Sequence, residues 1–251
     1  MGGNVFKGPS GESATRRISR EEVYPTVQWL EKISGLELTD NMLGSTGREK
    51  TSGDLDIAVD QEIVSARDFK QALDTWVLNR GETDLRGNVH KSGDMVHLKT
   101  PIAGDPNKGY VQTDFMFGNP IWLKFAFAGG IPGSPWRGKH RNQLVSSIAK
   151  ARNPDWKWSA KNGLRSRTNN EHIALTPQEI TDAILGPGYK PSNMMSVESI
   201  FQAIKKSPNF SELIAHFKKD IDSDPEAPRL ESLFEGTLEW HSRLKLILEN
   251  G

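Results

Sequence analysis

Two aspartates stand one residue apart in the run Asp54-Leu55-Asp56-Ile57-Ala58-Val59, where polar and apolar side chains alternate. That period is the period of a strand, so Asp54 and Asp56 fall on one face and Leu55 and Ile57 on the other. Two hard oxygen donors aimed at one place suit Mg²⁺ or Mn²⁺, which bind carboxylates together with phosphate oxygens. Upstream, Gly44-Ser45 permits a tight turn whose N–H groups can approach phosphates, with the Ser45 hydroxyl as a further donor. A third carboxylate, Asp114, sits in a second alternating run over 110–117. There Gln112, Asp114 and Met116 share one face, and Val111, Thr113, Phe115 and Phe117 share the other.

The whole run Leu43-Gly44-Ser45-Thr46-Gly47-Arg48-Glu49-Lys50-Thr51-Ser52-Gly53-Asp54-Leu55-Asp56-Ile57 resembles the signature of the DNA polymerase β-like nucleotidyltransferase superfamily. That signature is an apolar residue, Gly-Ser or Gly-Gly, a polar stretch, then Asp-apolar-Asp-apolar. The resemblance implies an enzyme that moves a nucleoside monophosphate from an NTP to an acceptor hydroxyl and releases pyrophosphate. It implies that Asp54 and Asp56 bind two Mg²⁺ ions, that Asp114 holds the ion beside the acceptor, and that Gly44 and Ser45 meet the β or γ phosphate. Two ions about 3.5 to 4 Å apart stabilise both the attacking and the leaving oxygen of an in-line displacement. Arg48 and Lys50 are candidate phosphate neutralisers, since positioning and charge stabilisation do most of the work in phosphoryl transfer. An Asp-x-Asp pair alone is common on the solvated face of half-buried strands; the preceding Gly-Ser and the later in-strand aspartate give it weight.

The elements that must hold these residues are legible as periodicities. Ser19-Arg20-Glu21-Glu22 has capping-box spacing, followed by Val27, Leu30 and Ile33 at helical intervals, with Pro25 a potential kink and Gly35 a stop. Ser65 opens a second helix carried by Phe69, Ala72, Leu73, Trp76 and Val77, and residues 95–99 read as a strand. Residues 81–93 and 103–109 are turn-rich and read as loops or hairpin connections. Ser134-Pro135 suggests a cap for a helix running toward Arg152, and Thr176-Pro177-Gln178-Glu179 opens a helix that Gly186 closes. Further helices are expected over 196–206, 211–220 and 228–249. The expected architecture is α+β: a small mixed sheet bearing the carboxylates and flanked by helices, over 1–133, then a mainly helical region, over 134–251.

Between Trp136 and Arg167 the chain carries Arg137, Lys139, Arg141, Lys150, Arg152, Lys157, Lys161 and Arg165 against one acid, Asp155, with Trp156 and Trp158 interleaved. Cations with aromatics can meet phosphates and stack on bases, which suggests an RNA 3′ end such as that of tRNA as acceptor. A charged helix face over buried tryptophans gives the same sequence pattern. A small-molecule or protein acceptor, and a catalytically silent nucleotide- or RNA-binding module, are the alternatives.

The remaining composition narrows the field. With 35% hydrophobic and 25% charged residues in 251, the chain is that of a folded globular protein. Its 32 basic and 32 acidic residues cancel, so attraction to polyanions must be local. The absence of cysteine excludes disulfides, thiolate metal sites and thiol nucleophiles. No apolar stretch has the length of a membrane span, and the first twenty residues lack a secretory h-region, so a cytoplasmic location with no membrane partner is expected. Gly133 to His140 nearly spells a P-loop, but Pro135 removes a cradle N–H and His140 stands where a metal-binding hydroxyl belongs. The six histidines show no zinc-site spacing and read as surface or core residues.

Overall fold

The alternation around Asp54 is realised as a strand of seven residues at the edge of a mixed sheet. The computed structural model describes residues 5–234, and the chain divides into two compact units, Met1–Phe127 and Ala128–Gly251. In chain order the first unit contains β1 (Ile18–Ser19), α1 (Arg20–Ser34), β2 (Thr51–Ser52), β3 (Asp54–Asp60), α2 (Ala66–Asn79), β4 (Val89–Ser92), β5 (Met95–Pro101), β6 (Tyr110–Gly118) and α3 (Pro120–Ala126). The strands β3, β6, β5 and β4 lie side by side in that order, β3 parallel to β6 and the other pairs antiparallel.

The two faces of this sheet differ completely. One carries Leu55, Ile57, Val59, Val96, Leu98, Val111, Phe115 and Phe117, which pack against Val23, Val27 and Leu30 of α1 and Phe69, Leu73 and Val77 of α2. Each fully buried side chain of this kind contributes roughly 1.5 to 3 kcal/mol, so the face as a whole fixes the register. A slip of one residue would drive Asp54, Asp56 and Asp114 into that core and expose its apolar residues, an exchange the packing forbids. The opposite face holds the carboxylates. At one end it is closed by a small cluster of Leu43, Ala58 and Leu123 with Met116, Trp122 and Phe127.

Local chemistry sets the helix ends. The Glu22 carboxylate accepts the Ser19 N–H at 2.8 Å, and Gly35, at φ 71°, donates to Glu31 to close α1. Helix α1 runs through Pro25 unbroken. Ser65 caps α2 by accepting from Asp68. Two elements lie where loops were expected or nothing was assigned. Residues 89–92 form β4 by pairing with β5, and Asn119-Pro120 opens α3, the Asn119 side chain accepting from two amides.

The second unit contains α4 (Gly138–Arg152), β7 (Trp156–Ser159), β8 (Gly163–Ser166), β9 (His172–Ala174), α5 (Pro177–Leu185), α6 (Val197–Ile204) and α7 (Phe210–Asp222). It is richer in helix, but β7, β8 and β9 make an antiparallel sheet that the helical expectation omitted. Helix α4 begins at Gly138, beyond the Ser134-Pro135 pair expected to open it. Helix α5 follows its capping box, with Thr176 accepting from Glu179 and Gly186 ending it. Of the helix expected over 228–249, residues 230–233 form a 3₁₀ turn, and residues from 235 on lie outside those described. The architecture is α+β. No helix among the described residues is long and apolar enough to cross a membrane.

Candidate metal centre

Sheet register brings the acidic residues together. Asp54 is the partner of Gln112 and Asp56 the partner of Asp114 across the parallel β3–β6 pair. Asp114 is in turn opposite His97 on β5, and His97 opposite His90 on β4. Asp56, Asp114, His97 and His90 thus form one row across all four strands. Carboxylate oxygens of Asp54, Asp56 and Asp114, one from each, all lie within 4.8 Å of one another. Asp54 and Asp56 are half-buried and Asp114 is buried.

Three carboxylates at this spacing repel one another. Burial, then the charge of Asp54, then that of Asp114, push the Asp56 carboxyl up to about 8. The donor set is all oxygen and the cluster carries excess negative charge, a combination that fits a hard divalent cation such as Mg²⁺ or Mn²⁺.

The Gly44-Ser45 loop abuts this cluster. Gly44 has φ 58°, and a Cβ on it would lie 3.4 Å from Asp56 Oδ2. Its N–H donates to the Phe127 carbonyl at 3.1 Å. Ser45 is exposed, and its carbonyl accepts from the amides of Arg48 and Glu49 as the chain turns. Arg48 and Lys50 are exposed on the same loop. Their carbonyls are fixed by Arg20, whose guanidinium donates to Arg48 O and whose N–H donates to Lys50 O.

Several residues that support the site carried no signal in the sequence reading. Thr46 is buried, and its hydroxyl accepts the Asp56 N–H at 2.9 Å, while the Leu43 N–H donates to the Asp56 carbonyl at 2.8 Å. Arg17 donates to the carbonyl and hydroxyl of Thr51, and its guanidinium lies 2.7 Å from where a Cβ on Gly53 would stand. His97 and Gln112 both contact the Asp114 carboxylate. The only signal that could have found the last two is the strand period: Gln112 shares a face with Asp114, and His97 alternates with buried Val96 and Leu98.

The basic segment of the second unit is sorted by burial. Trp136 and Trp158 belong to the core, their indole N–H groups donating to Ser232 and Asn142, so neither ring offers a face for a base. Arg141 is fully buried, donates to the Met194 carbonyl and lies over the Trp158 ring; burial lowers its pKa to about 10. Arg137, Lys139, Lys150, Arg152, Lys161 and Arg167 are exposed. Lys157 and Arg165 are opposite one another on β7 and β8, and Arg165 is opposite His172 on β9.

No known protein-family model matches this chain, and a search of curated proteins returns no match.

Proposed function

We propose that this protein is a metal-dependent nucleotidyltransferase. The observation that carries the reading is the juxtaposition of Asp54, Asp56 and Asp114 on one sheet face directly beside the Gly44 turn. Asp54, Asp56 and Asp114 would hold Mg²⁺, which when bound neutralises phosphate charge and acidifies an attacking hydroxyl. The residues of the chain then bind and orient. The turn that Gly44 permits offers the exposed Ser45 hydroxyl to the phosphate tail, the Gly44 N–H being held by the Phe127 carbonyl, and Arg48 and Lys50 flank it with positive charge. An acceptor oxygen attacks the α-phosphorus, the bond to the β-phosphate oxygen breaks, and pyrophosphate leaves while the hydroxyl proton passes to a carboxylate or to water.

An RNA 3′ end is the acceptor this reading favours. The support is the exposed cations of the second unit, together with the half-buried Lys157 and Arg165, which stand as a like-charged cross-strand pair. Such a pair is unfavourable by itself and is relieved by an anionic partner.

The test incubates the protein with Mg²⁺ or Mn²⁺, each labelled NTP in turn, and a mixture of total RNA and protein, against the Asp54→Ala/Asp56→Ala variant. Metal-dependent label on RNA that the variant loses establishes class, nucleotide and acceptor together. Label on protein or on a small molecule moves the acceptor assignment. No transfer at all, with NTP binding intact, overturns the enzyme in favour of a binding module.

A further inference from the structure

The Asp114 carboxylate is gripped from two sides by residues outside the acidic motif. His97 Nδ1 lies 2.7 Å from Asp114 Oδ1, and Gln112 Nε2 donates to Oδ1 at 2.8 Å and to Oδ2 at 3.1 Å. All three side chains are buried, at 6%, 0% and 6% exposure for His97, Gln112 and Asp114. Both orientations are determined. Gln112 Oε1 accepts the Val5 N–H at 3.0 Å, so its amide cannot flip without losing contacts at both ends. A carboxylate acceptor requires the hydrogen on His97 Nδ1, and the His90 ring, stacked 6.0 Å away at 25°, covers the imidazole from the edge strand.

An ionised carboxylate has about two lone-pair positions on each oxygen. Two donors fill Oδ1, whereas Oδ2 has only the longer contact with Gln112. Without these contacts the carboxylate could rotate and present either oxygen, or both, to its neighbours. We infer that His97, together with Gln112, is a positioning residue that fixes the Asp114 carboxylate so that Oδ2 serves the metal centre. This rests on reading the three aspartates as such a centre. It also gives His97 a role that a core histidine chosen for packing alone would lack.

The experiment measures Mn²⁺ binding to the full chain by titration calorimetry and by the electron paramagnetic resonance of bound Mn²⁺, with circular dichroism confirming the fold. His97→Phe keeps a ring but removes the donor; His97→Asn places an amide N–H where Nδ1 stood. The expected result is a loss of about ten- to hundredfold in affinity for His97→Phe, the usual scale for an outer partner of a metal ligand, with His97→Asn recovering most of it. Native affinity in folded His97→Phe overturns the inference, and so does an equal loss in both variants, which would assign the effect to packing. Should His97→Phe not fold, weak binding by folded His97→Asn overturns it and near-native binding supports it. Failure of the native protein to bind Mn²⁺ overturns the metal centre and this role together, whereas the variant outcomes leave the centre standing.

Discussion

Asp56 and Asp114 face each other across two parallel strands with no cationic side chain between them in the register, Asp56 on the edge strand β3 and Asp114 on the inner strand β6. The arrangement opposes folding in metal-free buffer, because burial and two neighbouring charges hold the Asp56 carboxyl near 8 when its ordinary value is 3.8.

Asp56→Asn should therefore stabilise the metal-free protein while removing metal binding. Single stabilising substitutions are commonly worth about 0.5 to 2 kcal/mol. The gain should be largest above pH 8, where the native carboxyl is charged, and small at pH 5, where it is already neutral like asparagine. Urea denaturation of both proteins at the two pH values checks this; an unchanged or lower midpoint for Asp56→Asn at high pH would contradict it.

A linked prediction concerns pH. Between pH 3.8 and about 8 the native protein retains a proton on Asp56 that the unfolded chain has released. Protons bound in excess by the native state make stability fall as pH rises. In metal-free buffer this contribution should thus fade across that window and be gone above it. Metal binding must expel the same proton, so Mg²⁺ affinity should climb by up to tenfold per pH unit below about 8 and level off beyond it. Calorimetry in buffers of different ionisation enthalpy would count the released proton.

Gly44 couples backbone to site. Its φ of 58° is left-handed, and a Cβ there would come within 3.4 Å of Asp56 Oδ2. Gly44→Ala should cost about 1 to 2 kcal/mol of stability and raise KM for the NTP. Gly44→Asn should recover part of the stability, since asparagine tolerates this conformation, without restoring KM. Thermal melts and steady-state kinetics separate the two effects.

Thr46 tests the loop's attachment. Thr46→Val deprives the Asp56 N–H of its acceptor at a buried position and should cost about 1 to 3 kcal/mol; Thr46→Ser should behave like the native chain. Equal stability of the valine and serine variants would show that the hydroxyl does not hold the loop.

For the acceptor, Lys157→Glu/Arg165→Glu should weaken binding of a single-stranded oligoribonucleotide and flatten its salt dependence, because phosphate contacts release counterions. Mn²⁺ affinity should not change. Binding to the native protein that ignores salt would exclude RNA contact through these cations.

What the sequence disclosed and what it withheld follow from the range of the forces involved. Periodicity is local, so the strands of Asp54 and Asp114, the caps of α1, α2 and α5, and the face on which each aspartate lies were all readable. Pairing is not local. Strand β4 has only Val89 buried and reads as loop until β5 supplies its hydrogen bonds. The short strands β7 to β9 were hidden in the same way, among charges that suggested a helix surface. The contact between His97 and Asp114 spans a hairpin whose register no residue type announces, and Trp136 and Trp158 gave the same signal whether stacked in a core or offered to a base.

The edge position of β3 has one more consequence. An edge strand with free N–H and C=O groups is a template on which a second molecule can add its own strand. Here the main-chain N–H and C=O of Asp56 are taken by Thr46 and Leu43, and Met42 bridges Ile57 just beyond. The segment proposed to cradle phosphates is also what shields the sheet from intermolecular pairing. Variants that shorten it should lose solubility whether or not they bind nucleotide, which ties this loop to resistance to aggregation as much as to the proposed chemistry.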